Sequence, residues 1–323
     1  MPVAYPLRCQ PFFRDYLWGG RRLESRLGKQ IPTAGTWAES WEFIDHPEHS
    51  SLIINGPFAG KTLGQVLGMD PCWLVGKENT SVPLLLKYLD CQKVLSVQVH
   101  PDDDYGLKMN PPDLGKTEAW YIVDSQPGSV LFAGLKPNVG RDELAAAIEA
   151  GTVDQVLHTI EPQPGDCVFI PAGTVHALGA GLLVAEIQQA SNTTFRLFDW
   201  NRVGPDGKRR PVHVEQSLAV SDYQAGPRRV QIPTAKGDGR VNLVSCDKFV
   251  FDRLSHTRVC TIGGDQRFHF ITTPTGGVRI EGESFSETLS VGESLLLPAA
   301  LSVCEVHFEE DAELLDMYLP EEA

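Results

Sequence analysis

The segment PGDCVFIPAGTVHAL (164–178) combines a short apolar strand, a turn and a histidine at the start of a second strand. Pro171 fixes φ in the turn and Gly173 frees it, so that His176 follows in a defined direction. A strand, a tight turn and another strand within so few residues are typical of antiparallel β-structure. The segment therefore predicts a β-protein in which the His176 side chain points to a fixed place.

The rest of the chain has the same character. Short apolar or alternating runs recur between turn residues, and the 323 residues include 30 glycines and 23 prolines. Helical spacing is found over 63–75, 141–160 and 213–223, and Pro71 and Gly151 interrupt the first two of these segments. We therefore predict a mainly β fold with a few short helices inserted, two of them within 141–160.

Composition limits the cellular setting and the partners. The net charge of −14 and the pI near 5.1 argue against nucleic acid, because phosphate binding needs a basic surface. An anionic small molecule stays compatible, because local charge decides its binding. Seven scattered cysteines without a CxxC pair indicate free thiols in a reducing compartment. With no signal-peptide pattern and no apolar run of membrane-spanning length, we expect a cytoplasmic protein without a membrane partner.

Four polar residues have the spacing of a metal site. In VQVHPDDD (97–104), Gln98 and His100 are two residues apart and therefore share one face of a strand. Glu118 opens another strand, and His176 follows the turn of the first segment. Two imidazoles, a carboxylate and an amide oxygen suit Zn²⁺ or Fe²⁺, and a catalytic site would keep further positions open. The three aspartates that end VQVHPDDD are predicted to form only a solvated turn.

Each of these residues also has a plain structural interpretation. A histidine in a strand is more often a hydrogen-bonded core residue than a metal ligand, and surface glutamates are common. Amides are poor ligands that usually make hydrogen bonds, so Gln98 is the weakest candidate of the four. Only the combination of the four residues favours a metal.

The first segment has a weak copy near the C-terminus. Residues 164–178 align with VGESLLLPAALSVCE (291–305), with a glycine, an acidic residue and a Pro-Ala pair in matching places. Upstream, WYIVDSQPGSVLFAG (120–134) aligns with FHFITTPTGGVRIEG (268–282), and the apolar positions and the final glycine match. Two copies of one β-unit are the simplest explanation.

The polar residues of the first copy do not recur in the second. His176 aligns with Val303, and Glu118 aligns with Gln266. We therefore predict that the second copy lacks the polar groups of the first. The segment PTAKGDGR (233–240) is the best candidate for a linker between the copies, because it is polar and rich in glycine.

Several motifs resemble those of a known family. The frame Gly-x5-Pro-x-Gly-x2-His over 165–176 resembles the second signature of the cupin superfamily, whose members are small metal-binding β-barrels. The motifs TWAESWE, QVHP, GKTE, PAGTVHAL and TTFRLFDWNR follow one another in that order. Together they resemble the type I mannose-6-phosphate isomerases, and in particular their short bacterial branch, over roughly residues 10–220.

The resemblance implies two cupin-like jelly-roll β-barrels with short helices inserted. It implies a catalytic metal-binding domain over 1–232 and a cupin-like C-terminal domain over 233–323 that lacks metal ligands. It further implies interconversion of mannose-6-phosphate and fructose-6-phosphate through an enediol. The implied cofactor is one Zn²⁺ per chain, and the matching ligand positions are Gln98, His100, Glu118 and His176.

Two departures from the general cupin pattern favour the isomerase branch. The usual His-x-His is Gln98-x-His100 here, and this is the ordinary form in these isomerases. The asparagine often found four residues after the second-signature histidine is Ala180.

The residues that would carry the chemistry follow from the same resemblance. Arg196 alternates with apolar neighbours in TFRLF, so it either points into the barrel or forms a surface salt bridge. The family has an essential arginine at this position, and we expect Arg196 to stabilise the developing enediolate. Lys116 shares the face of Glu118 if the strand already begins at Lys116, and Glu186 is a charge within an apolar run that needs a partner. The general base stays open between Lys116, Glu186 and a water on the metal.

Two further residues match positions that line the phosphate end of the family's site. The hydroxyl of Ser96 and the ammonium of Lys87 would together suit a phosphate dianion. A solvated strand lysine is an equally ordinary interpretation of Lys87.

Two rival functions share most of these features. A metal-dependent cupin oxygenase would have the same barrel but would bind Fe²⁺ through two histidines and a carboxylate. A non-catalytic cupin that binds a sugar or sugar phosphate would serve as a regulator. The sequence leaves open the breadth of sugar specificity, the metal bound in the cell, and whether the protein is a monomer or a dimer.

Overall fold

Antiparallel strands build most of the structure, as the turn-rich sequence predicts. The computed structural model describes residues 1–77, 79–204, 207–255 and 257–321. The strands form two β-barrels, each made of two facing sheets, and short helices are inserted between strands. The predicted fold class is therefore confirmed.

The first barrel occupies the N-terminal part of the chain. Its strands, with a small separate hairpin (β3 and β4), are β1 (Phe12–Arg14), β2 (Glu39–Phe43), β3 (Asp45–His46), β4 (His49–Ser50), β5 (Leu84–Cys91), β6 (Val97–Val99), β7 (Glu118–Ser125), β8 (Leu131–Leu135), β9 (Leu157–Ile160), β10 (Cys167–Ile170), β11 (His176–Leu178), β12 (Leu182–Gln189) and β13 (Phe195–Phe198). One sheet has the order β1-β2-β5-β12-β7-β10, and the facing sheet has the order β13-β6-β11-β8-β9.

The second barrel repeats this arrangement. Its strands are β14 (Thr234–Gly237), β15 (Arg240–Ser245), β16 (Val250–Leu254), β17 (Val259–Ile262), β18 (His269–Thr275), β19 (Val278–Gly282), β20 (Phe285–Leu289), β21 (Ser294–Leu297), β22 (Cys304–Phe308) and β23 (Glu313–Tyr318). One sheet has the order β14-β15-β16-β23-β18-β21, and the other has the order β17-β22-β19-β20. Because 233–240 forms β14 and the following turn, the prediction of a linker there is wrong.

The helices are short and lie outside the sheets. They are α1 (Arg22–Ser25), α2 (Leu63–Met69), α3 (Pro71–Val75), α4 (Asp103–Gly106), α5 (Arg141–Ala150) and α6 (Val214–Val220), with 3₁₀ turns at Gly56–Phe58 and Val153–Gln155. Within the described part of the chain, no helix is both long and apolar enough to cross a membrane.

The structure tests the three helical segments and the aspartate turn. Pro71 separates α2 from α3, as predicted, and Asp70 caps the second helix through Trp73 N. Gly151 ends α5 in a left-handed conformation (φ 71°), but the predicted second helix of 141–160 is wrong, because only a 3₁₀ turn and β9 follow. The prediction that the three aspartates form only a solvated turn is also partly wrong, because Asp102 caps the short helix α4.

The two faces of the sheet that contains β5 have different roles. Lys87 points into the first barrel, whereas its neighbour Tyr88 points outward. The outer face packs on the second barrel, where the tilted ring of Phe270 lies 4.9 Å from that of Phe43, centre to centre. Complete burial of a side chain such as Phe270 contributes roughly 2–3 kcal/mol. The apolar alternation of these strands thus joins the two barrels through a common core.

Strand register corrects the sequence alignment of the two copies. Ile170 of β10 pairs with Glu118, and the aligned Leu297 of β21 pairs with His269. The structural counterpart of Glu118 is therefore His269 and not Gln266, which precedes β18. A gapless alignment cannot show this difference in loop length.

The second barrel also contains a buried polar cluster of its own. His269 Nδ1 lies 2.7 Å from Asp316 Oδ1, and Arg240 Nη1 lies 2.7 Å from Asp316 Oδ2 and 3.1 Å from Asp252 Oδ2. The second barrel thus has polar groups of its own, and they differ from the His100, Glu118 and His176 set that was predicted to be missing from it. These groups neutralise one another, and the lack of a metal site at this place stays a prediction.

Candidate active site

A cavity of about 300 Å³ opens between the two sheets of the first barrel. The inward-facing side chains of both sheets supply the polar part of its wall. The sequence-predicted residues Lys87, Ser96, Gln98, Lys116, Glu186 and Arg196 all line it. Strands that are far apart in the chain thus bring these six side chains into one place.

Three further predicted residues lie directly behind Lys116. His100, Glu118 and His176 are at most 1% exposed, and their ligand atoms lie within 4.8 Å of one another. His176 Nε2 is 3.3 Å from Glu118 Oε1, and His100 Nε2 is 3.5 Å from Glu118 Oε2. This cluster has the donor set of a divalent-metal site.

The local folding of each strand explains how the cluster forms. His176 of β11 pairs with Gln98 of β6, so the two side chains lie side by side on one sheet. Glu118 approaches from β7 on the other sheet. The turn before His176 needs Gly173, whose φ is 82° and whose missing Cβ would lie 3.1 Å from Asp222 Cβ and Val220 O.

Backbone carbonyls set the tautomers of both histidines. His100 Nδ1 lies 2.9 Å from Thr193 O, and His176 Nδ1 lies 2.8 Å from Thr174 O. A carbonyl only accepts, so each Nδ1 carries the proton and each Nε2 lone pair faces the cluster. Burial, with help from Lys116, lowers the pKa of His176 to about 3 and the pKa of His100 well below its usual value. Neutral imidazoles of this kind are what a metal binds.

Gln98 and Lys116 complete the surroundings of the cluster. Gln98 Nε2 lies 3.2 Å from His176 Nε2, and turning the amide by half a rotation would bring Oε1 to the same place. Lys116 Nζ lies 3.0 Å from His100 Nε2 and also contacts Glu118 Oε2. A positive charge thus already lies beside the three ligand atoms, and the donor set fits a cation.

The two buried carboxylates have opposite pKa shifts. For Glu118, burial and the nearby Glu186 raise the pKa above its usual value. For Glu186, burial acts in the same direction, but Lys87 and Lys116 outweigh it and lower the pKa. Lys87 Nζ lies 3.0 Å from Glu186 Oε1, and Lys116 Nζ lies 3.6 Å from the same oxygen. Glu186 is therefore ionised and is held between two lysines.

A second group of charges lies at the edge of the cavity. Arg196 Nε donates to Ser96 Oγ at 3.2 Å, so the arginine points inward and not to a surface salt bridge. Burial and the neighbouring Arg210 lower the pKa of Arg196. Arg210 itself is held by Asp199, with Nε–Oδ2 at 2.8 Å. Ser96 thus lies with Arg196, and Lys87 lies with Glu186, on the wall of the same cavity.

The sequence reasoning missed several residues of the wall. Arg210 belongs to the basic run KRRP, which was the signal that the sequence offered, and the structure pairs this residue with Asp199 of the FDWNR motif. Arg14 lies over the Trp41 ring at 4.8 Å, and Trp41 Nε1 donates to Glu39 Oε2 at 2.6 Å. Glu39 and Trp41 alternate in TWAESWE, and that alternation predicts a common face.

Comparison with known proteins agrees with this geometry. A family model described as "Phosphomannose isomerase type I, catalytic domain" matches residues 6–124. The "Probable mannose-6-phosphate isomerase GmuF" of Bacillus subtilis is 35% identical over 92% of this chain and 94% of its own length. The mannose-6-phosphate isomerase ManA of the same organism is 33% identical over 97% and 99% of the two chains.

A solved structure extends the likeness to the whole fold. The crystal structure of the mannose 6-phosphate isomerase from Bacillus subtilis superposes with a TM-score of 0.89 at 28% identity, over 97% of this chain and 99% of that one. Both barrels are therefore common to the two proteins. From the identity over nearly the full length of two curated relatives, the chain belongs to the type I phosphomannose (mannose-6-phosphate) isomerase family.

Proposed function

We propose that this enzyme interconverts mannose-6-phosphate and fructose-6-phosphate through an enediol and depends on Zn²⁺. The observation that carries the proposal is the buried His100, Glu118 and His176 cluster directly behind a cavity lined by Lys116 and Glu186. Gln98 would supply the fourth ligand through its amide oxygen. When bound there, the metal would polarise the sugar carbonyl and stabilise negative charge on its oxygen.

The proton transfer falls to the charged residues of the cavity. Isomerisation moves a proton between neighbouring carbons, so a group within reach of both must accept and return it. Glu186 is ionised and lines the cavity, and Lys116 lies 3.6 Å from it. In this proposal Glu186 and Lys116 act as a pair, and the base is one of the two.

Arg196 supplies positive charge on the other side of the cavity. Its guanidinium is held by Ser96 and by the Pro211 carbonyl at 3.0 Å, so the direction of its remaining donors is fixed. A preorganised donor stabilises charge that develops in the transition state without reorganising. We assign Arg196 to the enediolate oxygens.

A sugar phosphate fits the charges at the edge of the cavity. Arg196, Arg202 and Arg210 lie close together, and Asp199 is the carboxylate between the last two. This group therefore has an excess of positive charge although the whole chain is acidic. The hydroxyl of Ser96 and the guanidinium of Arg210, which both line the cavity, would bind the phosphate, and Lys87 would support the sugar end through Glu186.

The domains take distinct parts in the proposal. Residues 1–232 form the catalytic metal-binding domain, because the residues assigned above all fall within it. Residues 233–323 form the C-terminal barrel, to which the proposal assigns no metal. Three residues of this segment, His256, Glu322 and Ala323, lie outside the described residues. We further expect the enzyme to act in the cytoplasm.

The test is direct turnover with a known metal content. Zinc-loaded protein is incubated with mannose-6-phosphate, fructose-6-phosphate is followed by a coupled assay, and bound metal is measured by mass spectrometry. Turnover that disappears on chelation and returns with Zn²⁺ is the expected result. Fully metallated protein without turnover would leave a sugar-phosphate-binding protein, and bound iron with oxygen uptake would indicate a cupin oxygenase.

A further inference from the structure

A buried hydrogen bond links the two barrels within their apolar contact. The outer face of the β5 sheet, including Ile187, packs against residues such as Phe270 of the second barrel. In this contact the Tyr88 hydroxyl lies 2.7 Å from Thr272 Oγ1, and both residues are fully buried. Polar groups in an apolar contact are satisfied only in one relative placement of the two surfaces.

The direction of this hydrogen bond follows from its surroundings. Thr272 Oγ1 donates its proton to the Glu293 carbonyl at 3.0 Å. A hydroxyl has one proton, so Thr272 accepts from Tyr88, and Tyr88 is the donor. A phenylalanine at position 88 would therefore remove the bond, and no other donor on that side chain could replace it.

Further polar groups extend the link to a second strand. Ser294 Oγ lies 2.8 Å from Thr272 Oγ1 and 3.0 Å from Glu42 Oε2. Glu42 Oε1 pairs with Lys29 Nζ at 2.7 Å and accepts from Ser40 Oγ at 2.6 Å. We call Lys29, Ser40, Glu42, Tyr88, Thr272 and Ser294 the inter-barrel cluster. It holds β2 and β5 of the first barrel to β18 and β21 of the second.

The chain neighbours of this cluster face the cavity. Successive side chains of a strand point to opposite faces, so Tyr88 contacts the second barrel while Lys87 lines the cavity. Lys87 stands opposite Glu186 in the strand register and holds its carboxylate at 3.0 Å. A displacement of β5 would therefore move the Lys87–Glu186 pair.

We propose that Tyr88 is a positioning residue, which acts through Thr272 to fix the place of β5 and thereby of the Lys87–Glu186 pair. The second barrel is then the rigid support of the catalytic sheet. This inference rests on the proposed isomerase function, because Glu186 is there assigned to proton transfer. A displacement of about 1 Å at a reacting group can cost up to ~100-fold in rate, so a small shift is measurable.

Two variants remove the link, and one retains it. Tyr88→Phe and Thr272→Val each eliminate the hydrogen bond. We expect kcat of each variant to fall about 5- to 10-fold. KM and the amount of bound zinc should stay within about 2-fold of wild type. Thr272→Ser keeps the oxygen and should keep wild-type kcat. The double variant Tyr88→Phe/Thr272→Val should be no slower than either single variant, because the same bond is lost.

Tyr121 is the matched control on a neighbouring strand. Its hydroxyl also reaches the second barrel, where it donates to Glu313 Oε2 at 2.6 Å. Both residues line a groove of about 990 Å³, and Glu313 keeps Arg253 as a partner, with Arg253 Nη1 3.6 Å from Glu313 Oε1, when the bond to Tyr121 is lost. Tyr121→Phe should therefore leave kcat unchanged.

Crystal structures of wild type and Tyr88→Phe supply a readout that does not depend on turnover. We expect the Lys87 Nζ–Glu186 Oε1 distance to lengthen in the variant. An unchanged pair, or a variant with a lower unfolding temperature but wild-type kcat and KM, would overturn the inference. Should Thr272→Val fail to fold, Thr272→Ala replaces it. Inactive wild-type enzyme would instead count against the proposed function, and the two failures are thus distinguishable.

Discussion

His176 Nδ1 lies 2.8 Å from the backbone carbonyl of Thr174, two residues earlier in the same turn. Nδ1–H donates to this carbonyl, and Nε2, which then carries no proton, faces Glu118 Oε1 at 3.3 Å. The turn thus determines both the direction of the ring and its tautomer. A ligand that is oriented and deprotonated in advance loses little freedom on binding a metal.

Removal of this imidazole should abolish the metal site. We expect His176→Ala to lose bound zinc and isomerase activity together, because His100 and Glu118, the two buried donors that remain, are too few to hold the metal. Metal content by mass spectrometry and turnover in the coupled assay check this. His158→Ala, a half-buried histidine of β9, is the control and should keep both. Full zinc content in His176→Ala would contradict the assignment.

Arg196 should matter for rate and not for metal binding. Its guanidinium contacts Ser96 and the Pro211 carbonyl, and it is not part of the His100 cluster. We expect Arg196→Ala to retain zinc while kcat falls by at least roughly 100-fold, the usual effect of losing one transition-state donor. Arg209→Ala serves as the exposed control. A near-normal kcat in Arg196→Ala would show that the assigned role is wrong.

Glu186→Gln tests the proton transfer. The substitution keeps the size of the side chain but removes the charge between Lys87 and Lys116, and it removes the base if Glu186 is that group. We expect kcat to fall by about 10²- to 10⁴-fold, the usual contribution of a general base. Zinc content should remain at one per chain. Steady-state kinetics on the metallated variant measure this fall in kcat. A fall of less than about tenfold would make Lys116 the better candidate for the general base.

The second barrel should lose stability at alkaline pH. Burial opposes the charge of His269, but Asp316 at 2.7 Å and Asp265 at 3.1 Å outweigh it and raise the pKa of His269 to about 9. A histidine with a raised pKa in the folded state stabilises the protein, and this contribution is complete at pH values below its pKa in the unfolded chain, about 6.5. This contribution, about 3 kcal/mol, is then lost as the pH rises through 9.

Denaturant unfolding between pH 6 and pH 10 measures this effect. The free energy of unfolding of the wild type should decrease over that range, and His269→Gln should show a flatter profile because the titrating group is gone. The variant is expected to be less stable than wild type at pH 6 and closer to it at pH 10. Parallel profiles for the two proteins would mean that His269 is not the group responsible.

Local features of the chain were predictable where steric rules act within a few residues. The break at Pro71, the helix end at Gly151 and the common face of Gln98 and His100 depend only on near neighbours. The prediction of a second helix in 141–160 was wrong because the apolar residues there fit a helix or a strand equally well. The strand β9 forms instead, because it pairs with β8. The glycine-rich 233–240 likewise became β14 because β15 pairs with it.

The β character of the chain, its family and the turn that aims His176 were all predictable from residue order alone. Three further facts came from the folded chain. Glu118 meets His100 and His176 across two sheets, and Arg210 lies near Arg196. His269, and not Gln266, is the counterpart of Glu118. Such contacts depend on strand order and register, which are set by the burial of whole sheet faces. They therefore cannot be predicted from the spacing of residues along the chain.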